Sequence, residues 1–491
     1  MKRLPHPLVA AIPIVVLIGL LAVVITLFGS DSLSGGSQVA LLLALAVCVF
    51  ISMVFYRVPW QAFEQQMTKT MGGISITVLI LLAVGMLSGS WMVSGIVPTL
   101  IYYGVQLLSP QFFLVCACII CALVSLLSGS SWTTIATIGV ALLGISHALG
   151  INEAVAAGAI ISGAYFGDKM SPLSDTTILA SSTTGVDLFT HIRYMMLTTM
   201  PAFALTLGIF AVMGLTQDGG NAVHIGQYTD GLASTYHISL WTLLVPVLTA
   251  VLIARRVPSL IVLFLSALMA GIMAVILQPH ILTQIAAASS VGGDLQSVGG
   301  DLQSVGGDLQ SVGGDLQSPT VAALAKGLAI TFYGDTAVDT GYAEQNELVS
   351  TGGMTGMLNT IWLIICAMCF GAVMVASGMI ESITRVVISW VKSRVGLVAS
   401  TAGTGLFLNI TTGDQFISIV LTANMFQNVY VQQGYEPRLL SRTTEDSATV
   451  TSVLVPWNTC GMTQSTVLGV PTVTYLPYCF FNTQVSEVES R

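Results

Sequence analysis

The chain has 491 residues, 54% of them hydrophobic, with 15 Lys or Arg and 23 Asp or Glu. Charged side chains make up 8% of it, against about a quarter in a soluble domain, and the mean hydropathy is +0.86. This excludes a soluble globular protein and a nucleic-acid binder, and leaves an all-α polytopic membrane protein. The net charge of −8 says little about partners, because four of the acids fall in one repeated segment.

The first apolar run, Leu8 to Phe28, follows Lys2 and Arg3. It is longer than a signal-peptide core and no A-x-A-like site follows it, so it reads as a span. Further spans are expected near 39–55, 73–93, 111–128, 132–149, 151–167, 192–214, 238–254, 258–277, 357–378, 396–412, 415–431 and 440–456, since about 20 apolar residues cross a bilayer. A last apolar stretch covers 466–482, and amphipathic pieces lie near 96–108 and 380–393. Because some of these pieces read as half-helices or re-entrant hairpins, the expectation is about 11–13 transmembrane helices.

Between 278 and 356 the motif VGGDLQS occurs four times, starting at Val291, Val298, Val305 and Val312. Its Gly-Gly pairs and lack of apolar period describe a loop. Asp294, Asp301, Asp308 and Asp315 offer weak cation binding; the plainer reading is a solvated duplication, since added loop length costs little entropy.

The basic residues set the orientation. With the N-terminus in the cytoplasm, Arg57, Lys69, Arg193, Arg255, Arg256, Arg385, Lys392 and Arg394 all fall inside. The stretches placed outside (29–38, 94–110, 216–237 and 278–356) then hold only Lys326.

A weaker repeat spans the chain. "LSGSSWTTIATIG" and "ITTGDQFISIVLT" align on Gly129 and Gly413, and "SPLSDT" and "VPWNTC" on Pro172 and Pro456, both 284 positions apart. "MVSGIV" and "VASGMI" align on Gly95 and Gly378, 283 apart. With the topology above, the halves are inverted: 1–191 is a first repeat, 192–237 a linking helix and outer loop, 238–482 a second repeat containing 278–356, and 483–491 a tail. Inverted repeats with helices broken near the midplane are a transporter architecture.

Each half places a polar break beside apolar helices: "SGSSWTT" and "GDKMSPLSDTT" in the first, "NITTGDQ" and "RTTEDSATVTSVLVPWNTCG" in the second. Proline removes a backbone donor and frees a carbonyl. Such carbonyls, with Ser, Thr, Asn and carboxylate oxygens, suit a hard cation, and an intramembrane carboxylate is a functional hypothesis by default. Asp168, Asp175, Asp414, Glu445 and Asp446 are the candidate acids, with Lys169 and Arg442 as supporting charge. Burial raises a carboxylate's proton affinity and a bound cation lowers it, so one site can exchange the two.

"GAYFGDKMSPLSDTT", "LSRTTEDSATVTSVLVPWNTCG" and "TYLPYCFFN" resemble the NhaC-type Na+/H+ antiporters of bacteria, part of a wider ion-transporter superfamily. The resemblance implies secondary transport of Na+ against H+ across the bacterial inner membrane, with both ions as substrates and no cofactor. It carries Asp168, Ser171 and Asp175 over in the first motif, and Glu445, Asp446, Asn458 and Thr459 in the second. With Thr176 and Asp414 these form the expected ion- and proton-binding set, with Na+ on Asp168, Asp175, Asp446, Asn458 and Thr459. Li+ is a further candidate ion, and homo-oligomerisation stays open. The VGGDLQS array departs from the family pattern. The same family includes sodium-coupled malate/lactate exchangers, which keeps an organic-anion exchanger as the alternative, with Lys169, Ser130, Ser131, Thr133 and Thr134 as its pocket.

Other conspicuous residues read more plainly. Cys118-x-x-Cys121 and Cys366-x-x-Cys369 have a redox or metal spacing but sit in apolar runs, as packing does. His147 and His191 flank the first break, where either a pH-sensing or an ordinary interfacial role is open. "SGSWMVSG" reads as a helix–helix contact. Asp335 and Asp339 lie in a stretch read as a solvated loop or an entrance lining. No Ser/His pair, HExxH or paired-Asp motif at helical spacing suggests an intramembrane enzyme.

Overall fold

The computed structural model describes residues 4–28, 35–216, 222–291, 319–338, 340, 346, 349–389 and 393–488. The VGGDLQS copies beyond Val291, Asp339, Lys2, Arg3 and Lys392 lie outside the described residues. Among those described there is no strand, only one isolated bridge between Thr336 and Thr351.

The first helices are α1 Pro7–Phe28, α2 Gly36–Tyr56, α3 Trp60–Val93, α4 Ile96–Leu107 and α5 Pro110–Ser128. α6 runs over Ser131–Ala148 and contains a π-helical turn at Ile135–Gly139. Next come α7 Glu153–Met170, α8 Asp175–Thr184, α9 Leu188–Leu215 and α10 Ala222–Thr235. α11 covers Leu240–Ala254, followed by α12 Ser259–Leu277, α13 Pro279–Val291 and α14 Pro319–Tyr333. After these come α15 Leu358–Ala376, α16 Met379–Ser389, α17 Arg394–Thr412 and α18 Gln415–Gln432. α19 Pro437–Thr444 continues into a π-helical turn, Glu445–Thr449, and a 3-10 turn, Ser452–Leu454. The described chain closes with α20 Thr459–Leu468, α21 Thr472–Tyr475 and α22 Phe480–Val488.

Nine of the described helices are long and apolar enough to cross a bilayer, or ten if the pair Thr229–Thr235 and Leu240–Ala254, bent by 91°, counts as one span. α7 and α18 have 18 residues each, about 27 Å of helix, but are more polar. The expected span at 440–456 is a broken one, interrupted by the π and 3-10 turns. The final apolar stretch is cut into α20, α21 and α22. Within 278–356, α13 and α14 are helices packed on each other. With 15 residues, α14 is too short to register as a span.

The helices form two compact units. One contains residues 80–107 and 221–357; in it Trp91 Nε1 donates to Ser266 Oγ at 3.0 Å and the Gln278 amide clasps the backbone of His237. The other contains residues 1–79, 108–220 and 358–491, and with them every expected ion-site residue.

In that second unit the helix boundaries themselves repeat. Pro110–Ser128 and Arg394–Thr412 are 284 positions apart at both ends, as are Asp175–Thr184 and Thr459–Leu468. α6 and α18 start at the same offset, and so do α7 and α19. Gly129 and Gly185 end helices with φ of 67° and 70°; Gly413 and Gly469 do so with 68° and 69°. Glycine adopts this left-handed conformation without a Cβ penalty.

α7 is buried along almost its whole length. Small residues let it approach α5 closely: a Cβ at Gly163 would lie 2.1 Å from the Cys118 carbonyl oxygen, and one at Gly167 2.2 Å from that of Ala122. This is the small-xxx-small packing of membrane helices. Gly163→Ala and Gly167→Ala should each cost about 1–3 kcal/mol or more through overpacking. Thermal melts in detergent should show both losses, and none for Gly208→Ala, whose added methyl meets nothing within 4 Å.

Candidate functional site

α7 ends where Ser171 and Pro172 follow, since proline cannot continue the hydrogen-bond ladder. Its last turn presents Asp168 and Lys169, both buried. The Thr177 hydroxyl donates to the freed Lys169 carbonyl at 3.1 Å. Ser171 is buried and accepts from Leu173 N–H through its hydroxyl at 3.2 Å.

Asp168 Oδ2 accepts from Ser131 twice, from its N–H at 3.1 Å and its hydroxyl at 2.7 Å. The carboxylate thus sits at the N-terminus of α6, where the unpaired N–H groups and helix dipole favour negative charge. Ser130 caps the same end, accepting from Thr133 N–H at 3.2 Å.

Lys169 has no exposed side-chain surface and forms an ion pair with Asp446 Oδ1. Asp446, also fully buried, stands on the π-helical turn after α19. Its second oxygen accepts from the Thr198 hydroxyl of α9 at 3.0 Å and lies 3.8 Å from Arg442 Nε. Arg442 also stacks over Tyr194, 5.1 Å from the ring centroid. Glu445 adjoins Asp446 on the same turn and is fully buried. Its neighbours include Lys169, Thr176, Asp168 and Thr449, yet no hydroxyl is aligned to donate to either carboxyl oxygen. The extra residue of a π turn re-aims side chains and is often found at functional sites.

A second polar group surrounds the break at Gly413. Asp414 caps α18, accepting from Ile417 N–H at 2.9 Å through Oδ1 and from the Thr459 hydroxyl at 3.3 Å through Oδ2. The Asn458 amide donates to the carbonyl of Asn409 at 3.2 Å, and Asn409 in turn donates to the Ala448 carbonyl at 2.6 Å. Thr459 N–H meets the Gly413 carbonyl at 2.8 Å. Tyr165 and Cys460 lie against each other beside both groups, near Asp168 and Asp414 respectively.

The expected residues therefore fall into two groups: Asp168, Lys169, Thr176, Arg442, Glu445 and Asp446 in one, and Asp414, Asn458 and Thr459 in the other. Asp175, exposed at the start of α8, joins neither hydrogen-bonded group but lies near enough to Asp168 to interact with it electrostatically. Among the described residues no three His, Cys, Asp or Glu side chains gather closely enough to hold a metal ion together. Thr198 was missed by sequence reasoning; the signal was a Thr-Thr pair inside the apolar α9, just before Pro201. The cysteines are free, with Cys118, Cys121 and Cys366 buried in helix packing. His191 is buried and bonded to the Ser441 hydroxyl at 2.7 Å, while His147 pairs with Glu153 at 2.6 Å.

A multi-pass helical membrane protein with paired charges at broken helices belongs to the class of ion-coupled secondary transporters. Residues 163–311 and 312–485 match the sequence profile of the Na+/H+ antiporter family. The chain is 36% identical over 443 residues to the Na+/H+ antiporter NhaC of Alkalihalophilus pseudofirmus, covering 89% of this chain and 86% of that one. It is 33% identical over 445 residues to the malate-2H+/Na+-lactate antiporter of Bacillus subtilis, covering 90% and 86%. Against the arginine/ornithine antiporter of Halobacterium salinarum it is 32% identical over 476 residues, covering 96% and 88%. The chain belongs to the NhaC-type Na+/H+ antiporter family.

Removing one partner from a buried ion pair strands the other charge, at about 3–5 kcal/mol, whereas replacing both with apolar groups is often neutral. Lys169→Met should therefore lower folded yield and melting temperature. Lys169→Met/Asp446→Leu should recover much of both, as size-exclusion and melting profiles in detergent will register.

Proposed function

We propose that the protein exchanges Na+ for H+ across the bacterial inner membrane, with its N-terminus in the cytoplasm and its two repeats oppositely oriented. The observation that carries this reading is a charge count. Asp168, Glu445 and Asp446 are buried together, and among the described residues Lys169 and Arg442 are the bases that form ion pairs within this group, so with these five groups ionised the cluster carries one excess negative charge. A lone buried charge is costly, and one monovalent cation removes it. A proton on Glu445, to whose oxygens no neighbouring hydroxyl is well aligned among the described residues, is one way to do so. A Na+ ion held by carboxylate and hydroxyl oxygens is the other.

Lys169 acts as the internal counter-ion of Asp446, and Thr198 and Arg442 orient its second oxygen. Thr176 and Thr449 supply neutral oxygens beside Glu445. Since Na+ and H+ satisfy the same charge, the two exclude each other. Asp175, Ser171, Asp414, Asn458 and Thr459 line the path to and from this cluster.

The test is reconstitution in liposomes with a trapped pH dye. External Na+ should alkalinise the lumen as H+ leaves in exchange. Glu445→Gln should weaken this response about tenfold to a hundredfold, the worth of one charged hydrogen-bonding partner, in a protein that still inserts. Undiminished exchange in that variant would remove Glu445 from the mechanism.

A second reading is favoured by the malate/lactate relative, 33% identical over most of both chains. If an organic anion is obligatory, the dye should respond to Na+ only when malate or lactate is also present.

A further inference from the structure

The Lys169 and Asp446 side chains are fully buried, and a cavity opens elsewhere in the same unit. Helices α3, α8, α15 and α18 line an open cavity of about 420 Å³, apolar over most of its wall. Water occupies about 30 Å³ per molecule in the liquid, so roughly a dozen fit, enough for an alkali ion with its first hydration shell. The wall includes Gln66, Lys69, Thr70 and Thr77 of α3 and Asp414 and Ile417 at the start of α18.

Gln66, Lys69, Thr70 and Thr77 recur at helical spacing, so one face of α3 lays a polar stripe along the cavity. α3 has 34 residues, about 51 Å of helix, which overruns an apolar layer of about 30 Å. Gln66 and Lys69 lie in its polar first part. Among the described wall residues Asp414 is the only carboxylate and Lys69 the only base. Asp414 is 4% exposed. A carboxylate has about four acceptor sites, and here the N–H groups of Ile417 and Phe416 and one long hydroxyl contact occupy three of them. In the first half the equivalent position is Ser130, so this carboxylate has no repeat counterpart.

We propose that this cavity is an entry vestibule for a hydrated alkali cation, and that Asp414, with the Thr459 hydroxyl, is the group that first receives the ion. The proposal rests on the exchange reading but assigns the first contact to a place distinct from the Lys169 cluster. Lys69, exposed near the vestibule, lowers the local cation concentration within a Debye length of about 8–10 Å. It thereby slows ion entry and keeps affinity low, since rim charges act through association rates.

The experiment places a cysteine at Ile417 in the full chain, with the parent protein as blank, and follows labelling by a membrane-impermeant cationic methanethiosulfonate in vesicles. Ile417→Cys should label from one side, and NaCl should slow the reaction several-fold relative to choline chloride. The added Asp414→Asn change should abolish that protection. In transport assays Lys69→Glu should lower the KM for Na+ several-fold at low ionic strength, an advantage that fades in high salt. Labelling only by a membrane-permeant reagent would make the cavity a lipid-facing crevice and overturn the proposal. So would labelling indifferent to Na+ in a protein that still exchanges Na+ for H+. If the parent protein shows no exchange, the antiport reading fails, while Na+ protection at Ile417→Cys still judges the vestibule, because it reports binding without transport.

Discussion

The buried pair of Lys169 and Asp446 is the constraint on which the rest of the arrangement depends. The two residues are 277 positions apart and neither side chain has exposed surface. Two charges withdrawn from water repay their desolvation only with good geometry and further hydrogen bonds. The surroundings meet that condition: α7 ends one residue after Lys169, α9 brings Thr198, and the π turn turns Asp446 and Glu445 into the same interior. The close approach of α5 and α7 through Gly163 and Gly167 belongs to the same requirement, because it sets where the end of α7 lies.

The matched helix boundaries place different chemistry on equivalent backbone. Ser131 donates to Asp168 at 2.7 Å; 284 positions later Ser452 donates to the Gln415 side chain at 3.4 Å. Ser128 and Thr134 share a hydrogen bond of 3.3 Å, as do Thr412 and Ser418 at the same offset. The neutral scaffolding bonds are therefore kept while the acids are not. Asp168 faces a serine in the first half, whereas in the second the carboxylate has moved to the cap, Asp414, opposite Thr459. This difference gives the two breaks unequal charge.

Much of the fold was legible because hydropathy reports helices surrounded by lipid, such as α1, α2, α5 and α12. α7 and α18 fall where spans were expected and form 18-residue helices, because apolar runs remain between their polar residues. The segmentation near 440–482 was less legible: a π turn depends on tertiary packing, and no local residue pattern announces it. Among the site residues, Asp168, Lys169, Glu445 and Asp446 stood out because charge is rare in this chain. Thr198 did not, since a threonine in a membrane helix usually bonds its own backbone, and only the fold brings it to Asp446. Asp175 looked equivalent to Asp168 in sequence, yet it opens α8 on an exposed surface. The spacing of seven residues across a proline break does not fix which way it faces.

On the proposed reading, the single excess charge also accounts for coupling. With neither ion bound, the cluster holds an unneutralised negative charge in a low-dielectric interior, a state whose movement across the apolar layer is disfavoured. With either H+ or Na+ bound it is neutral, and the two loaded forms have comparable charge. A cation that displaces the proton must lower the proton affinity of the cluster, and by reciprocity the proton lowers the affinity for the cation. Tight coupling thus needs no direct contact between the two ions, only one shared deficit of positive charge. Lys169 is what keeps that deficit at one: without it the same three carboxylates would be two charges short, and a proton and a sodium ion would bind together instead of in exchange.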